Sequence, residues 1–300
     1  MSDRIGFVGL GVMGLPMALN LQRAGHSVRG FTRSPRAGFR GELAGSISEL
    51  AGCAVVFSML PDDAAVQDAV LGPNGIVQSA RPGTLLIDCS TVSPATARRT
   101  DSLAREAGLL TVDAPVSGGE EGAIAGTLSA MVGGSVEAVE RARPYLDAVA
   151  STVTHVGPAG AGQLVKAANQ VMVAGNLLIL GEALQLLSGS SVDTAAALSA
   201  LRGGLASSAV LDRKAERILA GEFAPGFRIR LQHKDIRIAL GVAEELRTPL
   251  PLTALAAQFL AGAMAAGLGE QDHAALGLIP GLLSGNSLSG RSTPASTPSS

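Results

Sequence analysis

The feature that most constrains the fold of this chain is a regular alternation of short apolar segments with longer helical ones. Five apolar segments in the first half are predicted strands: Arg4–Val8, His26–Phe31, Ala54–Leu60, Leu85–Ser90 and Leu109–Val116. Helical periodicity separates them, for example in Met13–Ala24 and Pro94–Ala107, and two more strands are predicted at Leu128–Gly133 and Thr152–Val156. Because strands joined by such helices form right-handed βαβ units, the pattern predicts an α/β domain with a doubly wound parallel sheet.

The pattern changes at Gly162, after which helices alone are predicted. Gln163 to Leu187 contains no Pro and has a helical apolar period, and further helices follow to about Leu283. The last residues, 284–300, are rich in Ser, Thr, Pro and Gly and cannot bury enough apolar surface to order themselves. We therefore expect a dinucleotide-binding domain at 1–161, a helical domain at 162–283 and a flexible tail at 284–300.

Composition limits the partners and the compartment. The net charge of −2 gives no reason to expect a nucleic-acid partner, and Cys53 and Cys89 lack metal-ligand spacing, so no metal site is predicted. Ile5–Leu21 is interrupted by Gly and Pro, unlike the apolar core of a signal peptide. The apolar run Val171–Gly181 is too short to cross a bilayer by itself. We expect a cytoplasmic protein with no membrane partner.

A glycine-rich loop follows the first predicted strand. Its sequence is Gly9-Leu10-Gly11-Val12-Met13-Gly14, and it leads into a predicted helix. In this context the first Gly permits a tight turn, the second allows a pyrophosphate to approach the backbone and the third allows close packing of helix on strand. The loop predicts a dinucleotide site; a glycine-rich turn without a ligand is the alternative.

The end of the second predicted strand indicates which nicotinamide cofactor is used. Thr32-Arg33-Ser34 stands where an acid would bind a ribose 2′-hydroxyl, and no acid occurs before Glu42. An Arg between two hydroxyl residues suits a 2′-phosphate, so NADP(H) is the preferred cofactor and NAD(H) remains possible. A solvated basic turn is the alternative.

Lysine is rare in this chain, which makes each one informative. Of 23 basic residues only Lys166, Lys214 and Lys234 are Lys, and Lys166 is the only charged residue between Asp147 and Glu182. Its helical neighbours are amides: Gln163, Asn169 and Gln170. A desolvated Lys without a partner has a lowered pKa and suits acid/base catalysis near neutral pH, which Arg cannot provide. A Lys that extends its ammonium from a half-buried helix into solvent is the alternative.

Two other segments complete the predicted site. Asp113-Ala114-Pro115-Val116-Ser117-Gly118-Gly119 ends a strand in a glycine-rich turn, whose amides and Ser117 hydroxyl could bind a carboxylate. A Ser nucleophile is disfavoured because no His is suitably placed and the sequence has no nucleophile elbow. Lys234 lies in Leu231-Gln232-His233-Lys234-Asp235, where a solvated helix face is the alternative to a functional role.

These segments together resemble the β-hydroxyacid dehydrogenase family over residues 1–280. The resemblance is carried by four segments in the family's order: 9–18, 113–134, 157–170 and 227–240. It implies a Rossmann-type sheet domain followed by an all-α domain, with Lys166 as the catalytic acid/base and Ser117, Gly118 and Gly119 binding substrate. It also implies that Lys234 lies beside the cofactor and that a set of loop residues lines the nicotinamide: Met59, Leu60, Pro61 and Thr91.

The resemblance also implies a reaction and an assembly. Secondary segments at 117–124, 203–208 and 272–276 are most similar to the branch that reduces 2-hydroxy-3-oxopropionate (tartronate semialdehyde) to D-glycerate. Branches acting on 3-hydroxyisobutyrate or on glyoxylic or succinic semialdehyde are alternatives, and so is a non-catalytic dinucleotide sensor or scaffold. Either Asn169 or Gln170 would orient the substrate. The family's helical domain implies a homodimer or homotetramer.

Overall fold

The computed structural model describes residues 4–33 and 38–284 and divides into two compact units. The first unit comprises residues 1–169 and 237–248, and the second comprises 170–236 and 249–300. The predicted boundary at 161/162 therefore differs from this division, which also assigns 237–248 to the first unit. The functional domain boundaries remain a prediction. Ser34 and most of the predicted tail, 285–300, lie outside the described residues.

The first unit is built on one sheet with helices between its strands. The strands are β1 (Arg4–Val8), β2 (Ser27–Phe31), β3 (Glu42–Leu43), β4 (Val55–Ser58), β5 (Leu85–Asp88), β6 (Leu110–Asp113), β7 (Val116–Ser117), β8 (Leu128–Gly134) and β9 (Ala150–Gly157). The helices are α1 (Gly14–Arg23), α2 (Asp63–Ala69), α3 (Ile76–Ser79), α4 (Pro94–Glu106), α5 (Gly119–Ala125) and α6 (Val136–Leu146).

The sheet order is β3-β2-β1-β4-β5-β6-β8-β7, with β9 beside β8. The first six strands in this order, from β3 through β1 to β6, pair in parallel, as predicted. Strand β8 pairs antiparallel with β6 and β7. The chain leaves β1 toward β2 and β3 and then crosses back to β4 on the other side. The carboxyl ends of β1 and β4 consequently border a topological switch point, where α/β sheets bind their ligands.

Alternating side chains in the central strands bury both faces of the sheet. Ile5 and Phe7 of β1 pack with Val55 and Phe57 of β4 in one core, where the two Phe rings stack at 5.6 Å. Val8 of β1 enters the other core. Burial on both faces is the property of a parallel sheet covered by helices, so the Rossmann-type fold is confirmed.

One predicted strand is divided in the structure. Leu109–Val116 was expected as a single strand, but β6 ends at Asp113 and β7 begins at Val116. Pro115 lies in the break. It has no N–H to donate to a sheet ladder, so the strand is interrupted there. Its carbonyl still accepts from the Met131 N–H at 3.1 Å. The break directs the chain toward Ser117 and the two glycines that follow.

In its described residues, the second unit is helical apart from an isolated β-bridge between Arg228 and Asp272. The helices from α7 onward are α7 (Ala161–Ser188), α8 (Thr194–Arg202), α9 (Ala209–Ala220), α10 (Ile229–Glu245), α11 (Pro251–Ala265) and α12 (Ile279–Ser284). The first part of α7, to Asn169, and the last part of α10, from Arg237, belong to the first unit. The unit's core contains Leu180, Leu184, Leu198, Leu211 and Ile218. Helix α7 is long and apolar enough to span a membrane, unlike its segment 171–181, but core helices of soluble proteins pass the same test.

Asp272 ties several segments of the second unit together. Its carboxylate is fully buried and accepts hydrogen bonds from Lys214 Nζ at 2.8 Å and from the N–H groups of Gly226, Phe227 and Ala274, each at 3.0 Å. Burial by itself would raise the pKa of Asp272, but the Lys214 hydrogen bond and nearby positive charge lower it to about 2. Lys214 therefore has a structural role in an ion pair.

Candidate active site

The glycine loop lies at the switch point of the sheet. The Gly9 N–H donates to the Phe31 carbonyl of β2 at 2.9 Å, and the Met59 N–H donates to the Val8 carbonyl at 2.9 Å. These bonds join the ends of β1, β2 and β4. Three segments predicted to contact a dinucleotide are thus brought together: the glycine loop, the turn after β2 and the loop after β4.

The three glycines of the loop are needed for different reasons. Gly9 has φ +98° and a Cβ there would overlap the Met59 carbonyl oxygen, while a Cβ on Gly14 would overlap the Gly9 carbonyl oxygen. A Cβ on Gly11, by contrast, would meet no atom of the described residues within 4 Å. The fold itself explains Gly9 and Gly14 but not Gly11. A ligand that approaches the backbone at Gly11 explains this second glycine, so the loop fits a dinucleotide.

The other loop residues contribute mainly through their backbone. Leu10 is buried in the core, and Met13 is partly buried against it, while Val12 is half-buried at the turn. After β2, Thr32 is half-buried and Arg33 is exposed. Glu42, the first acid downstream, is held by the guanidinium of Arg4 at 2.7 Å and that of Arg29 at 2.9 Å.

The loops after β4 and β5 are joined by a buried network that the sequence analysis missed. The Leu60 N–H donates to Ser90 Oγ at 2.9 Å, and Asp88 Oδ1 accepts from Ser58 Oγ at 2.8 Å and from the Ser90 N–H at 3.1 Å. Burial raises the pKa of Asp88, against the lowering effect of its hydrogen bonds. The predicted nicotinamide-side residues Met59, Leu60, Pro61 and Thr91 lie on these two connected loops.

Asp63 fixes the same loops from the start of α2. Its Oδ1 accepts from the Ser93 N–H at 3.0 Å, from Ser93 Oγ at 2.7 Å and from Thr96 Oγ1 at 2.6 Å. The only sequence signal for this role was an acid three residues after the predicted strand Ala54–Leu60. The position of its partners near α4 depends on the tertiary fold.

Lys166 is buried in the first unit, with 6% of its surface exposed. Its Nζ donates to the Val116 carbonyl oxygen at 2.8 Å. The side chain therefore does not extend into solvent. The expectation that Lys166 has no partner was wrong, because the Val116 carbonyl accepts a hydrogen bond from its ammonium group. The ammonium group lies beside the strand that leads directly into Ser117, Gly118 and Gly119.

The Ser-Gly-Gly segment has the backbone geometry of a turn that only glycine adopts readily. Gly118 has φ +140° and Gly119 has φ +66°, and α5 begins at Gly119. Ser117 and Gly118 are half-buried and Gly119 is exposed. The structure thus places a hydroxyl and backbone amides directly after the Val116 carbonyl, which accepts from the Lys166 ammonium.

The two predicted amides have different surroundings. Asn169 is half-buried, one helical turn after Lys166 in the first unit. Gln170 belongs to the second unit, where its Nε2 donates to Asp235 Oδ2 at 2.6 Å. Lys234 of the same unit lies 3.0 Å from Asp235 Oδ1. The Gln170 amide is thus engaged with a buried carboxylate in the second unit, whereas Asn169 lies in the same unit as Lys166.

Gln163 connects the start of α7 to the loop after β5. Its Oε1 accepts from the Val92 N–H at 3.1 Å and its Nε2 donates to the Ser90 carbonyl at 2.8 Å. In the sequence, Gln163 was visible only as one of the amide neighbours of Lys166. Its partners lie more than 70 residues away in the chain, so no local pattern could reveal them.

Two family models match most of the described chain. Residues 4–157 match the NAD binding domain of 6-phosphogluconate dehydrogenase, and residues 160–278 match the NAD-binding family of NADP-dependent 3-hydroxyisobutyrate dehydrogenase. The Escherichia coli K12 2-hydroxy-3-oxopropionate reductase is 39% identical over 280 residues, which cover 91% of this chain and 95% of the relative.

Two further relatives carry 3-hydroxyisobutyrate dehydrogenase names. The Pseudomonas aeruginosa enzyme is 37% identical over 266 residues, covering 84% of this chain and 89% of its own length. The solved structure of the Mycobacterium tuberculosis 3-hydroxyisobutyrate dehydrogenase with L-serine matches with a TM-score of 0.81 and 34% identity, covering 92% of this chain and 98% of that one.

Proposed function

Because this chain belongs to the β-hydroxyacid dehydrogenase family and is an NAD(P)-dependent oxidoreductase, we propose that it reduces a small semialdehyde bearing a carboxylate to the hydroxyacid, and catalyses the reverse reaction. The proposed substrate is 2-hydroxy-3-oxopropionate and the product D-glycerate. The 39% identity to a reductase of that name supports this choice. The observation that carries the proposed chemistry is the buried Lys166 beside the Val116–Gly119 segment.

In this reaction Lys166 donates the proton that the substrate oxygen needs. A reduced nicotinamide, when bound, supplies a hydride to the aldehyde carbon. The oxygen of that carbonyl gains negative charge as the hydride arrives, and an ammonium in a buried site both stabilises the charge and releases a proton. The Val116 carbonyl holds the Lys166 ammonium in one position without neutralising it, because its oxygen carries no net charge.

Ser117, Gly118 and Gly119 bind the substrate carboxylate in this proposal. The Ser117 hydroxyl and the amides of the two glycines are hydrogen-bond donors, and they follow directly after the carbonyl that accepts from Lys166. Asn169, one turn along α7, orients the substrate hydroxyl. These groups select a short molecule in which the carboxylate and the carbonyl are close together.

The cofactor is NADP(H) by preference in this proposal. Thr32 and Arg33 follow β2, and the first acid downstream, Glu42, is engaged by two arginines. A guanidinium suits a 2′-phosphate, whereas no carboxylate in the described turn is placed to accept from a 2′-hydroxyl. Residues 1–161 would hold the dinucleotide, with Lys234 beside it, and 162–283 would serve substrate binding and dimerisation.

We further propose a cytoplasmic homodimer or homotetramer. In the second unit, α7 exposes Met172, Ile179 and Leu186, with exposed fractions of 68%, 61% and 79%. Their seven-residue spacing is the repeat with which helices pack along each other, so a second copy of this chain is the expected partner. Light scattering that gives a monomer mass would contradict this part of the proposal.

Lys166→Ala and Lys166→Arg test the proposed chemistry. The Ala variant is expected to lower kcat by about two to four orders of magnitude, the usual contribution of a general acid. The Arg variant keeps the charge but is a poor proton donor, so it is expected to be nearly as inactive. Steady-state rates with 2-hydroxy-3-oxopropionate and NADPH, and the Kd for NADPH, are the measurements.

Lys214→Arg is the matched control, because Lys214 serves an ion pair that a guanidinium can also form. Its kcat is expected to be close to native. If Lys166→Arg retains more than about a tenth of native kcat, Lys166 is not the proton donor. A panel of small semialdehydes tests the choice of substrate. It includes the semialdehyde that corresponds to 3-hydroxyisobutyrate, together with glyoxylic and succinic semialdehyde. A higher kcat/KM for another member would replace 2-hydroxy-3-oxopropionate.

A further inference from the structure

Asp113, the last residue of β6, has its carboxylate at the beginning of helix α7. Oδ1 accepts from the Gly160 N–H at 2.7 Å and Oδ2 accepts from the Gln163 N–H at 3.0 Å. The first turn of a helix has N–H groups without intrahelical acceptors. A side chain from a strand about 50 residues earlier supplies acceptors for this turn.

The space around this carboxylate leaves no room for a side chain at either of two neighbouring glycines. A Cβ on Gly133 of β8 would lie 2.5 Å from Asp113 Oδ1, and a Cβ on Gly162 would lie 2.8 Å from Asp113 Oδ2 and 2.7 Å from its carbonyl oxygen. Both glycines are required by contact with Asp113 and the adjoining backbone. The carboxylate thus occupies a site formed by two strands and the start of a helix.

Asp113 stands between the two segments that meet at Lys166. Along the chain it precedes Val116 by three residues, and Val116 provides the carbonyl that accepts from Lys166 Nζ. Through its side chain it holds the Gln163 N–H, one helical turn before Lys166. One residue therefore fixes both the helix that carries the ammonium and the strand that receives its hydrogen bond.

We propose that Asp113 is a positioning residue that, in its ionised form, sets the place of the Lys166 ammonium relative to the substrate segment. The proposal rests on Lys166 being the proton donor of the proposed function. Asp113 does not touch the reacting atoms. It acts through the first turn of α7.

The ionisation of Asp113 makes this positioning dependent on pH. Burial raises the pKa of Asp113 to about 6, while the hydrogen bonds from Gly160 and Gln163 lower it. Asp88 of β5 and Asp101 of α4 line the same small cavity, and the negative charge of Asp88 also raises the pKa. Other charged or titratable side chains on neighbouring elements are Lys166 of α7, Arg98 of α4, which lies beside Gly160, and His155 of β9, whose ring bonds to the Gly134 and Gly157 carbonyls. The charged residues of α6, which also packs on β6, are exposed: Glu137, Glu140, Arg141 and Arg143.

The sign of the effect follows from the two protonation states. Above pH 6 the two oxygens of Asp113 accept hydrogen bonds from Gly160, just before α7, and from Gln163 in its first turn. As the pH falls through about 6 one oxygen becomes a hydroxyl that faces an N–H donor, and the turn loses an acceptor. The native kcat is therefore expected to fall on the acid side with an apparent pKa near 6.

Asp113→Asn removes this titration while keeping the size of the side chain. It is expected to lower kcat about 10- to 100-fold, the effect of misplacing a reacting group by about 1 Å, and to abolish the acid limb. The Kd for NADPH should stay near native. Asp101→Asn is the matched control, because Asp101 lines the same cavity but bonds to Thr111 rather than to α7, and it should keep both kcat and the limb.

Two measurements separate positioning from a general loss of folding. In a Lys166→Ala background Asp113→Asn should cause no further loss of kcat, because two residues that act through one step are not additive. Hydrogen–deuterium exchange of peptides covering 160–166 should be at least about tenfold faster in Asp113→Asn, and in the native protein protection should fall as the pH drops through 6.

The outcomes distinguish the two proposals. Equal losses from Asp113→Asn with and without Lys166 would overturn the positioning role, and so would native exchange at 160–166 in the variant. A native acid limb that persists in Asp113→Asn would overturn it as well, without requiring the variant to be fully stable. If Lys166→Ala keeps its activity, the proposed function fails instead, and with it the inference about Asp113.

Discussion

Gly11→Ala separates dinucleotide binding from folding more sharply than any other single change in the glycine loop. A methyl group at this position meets no atom of the described residues within 4 Å, and Gly11 does not have the positive φ found at Gly9. Since Ala restricts the unfolded chain more than Gly does, the free energy of unfolding should stay constant or rise by about 0.4–1 kcal/mol.

The affinity of Gly11→Ala for NADPH should fall, although its stability does not. The methyl would stand where a pyrophosphate approaches the backbone amides, and one lost charge-assisted hydrogen bond costs about 1.5–3 kcal/mol. That loss corresponds to a Kd for NADPH raised about 10- to 150-fold. The assay is a titration followed by nicotinamide fluorescence, with the stability of each variant measured by circular dichroism in urea.

Gly9→Ala and Gly14→Ala are the controls, because each Cβ would overlap a backbone carbonyl oxygen. Both are expected to lose about 2 kcal/mol or more of stability, from strain and overpacking. The reasoning is refuted if Gly11→Ala binds NADPH with native affinity. It is also refuted if Gly11→Ala unfolds as readily as the two controls, since the fold itself would then need the glycine.

Two further predictions concern other parts of the chain. Native enzyme should have a lower KM for NADPH than for NADH, and Arg33→Asp should reverse the order, since a carboxylate repels a 2′-phosphate and accepts from a 2′-hydroxyl; equal KM values in both enzymes would contradict the assignment. Asp272→Asn should lower the free energy of unfolding at neutral pH by about 2 kcal/mol, from the difference between the ordinary pKa of Asp and about 2. Because this pKa is lowered in the fold, the contribution is present above about pH 4 and is lost toward pH 2, so urea midpoints of the native protein and the variant should converge in acid.

The sequence was sufficient for features that depend on local pattern. The strands around Phe7 and Phe57 are apolar and flanked by helices, and this pattern alone predicted their place in a parallel sheet. The loop from Gly9 to Gly14 was recognisable because glycine spacing reflects local backbone conformation. Lys166 stood out because charge is rare around it.

Features that depend on tertiary contacts were not predictable. The division of β6 from β7 at Pro115 follows from pairing with β8, and the two-residue strand β3 is too short to show a pattern. The sequence placed Asp113 and Gln163 in informative segments but could not show that one accepts from the backbone of the other. Asp88 resembled any acid at a strand end, since its burial is a property of the assembled sheet.

Gln163 links two parts of the predicted active site through its own hydrogen bonds. The same residue donates its N–H to Asp113 and binds, through its side chain, the backbone of the loop after β5 on which Thr91 lies. A thermal displacement of this turn of α7 therefore carries Lys166 and that loop together. We therefore expect the distance between them to vary less than the position of either one, so that the proposed proton donor and the predicted nicotinamide-side loop stay aligned while the surrounding structure fluctuates.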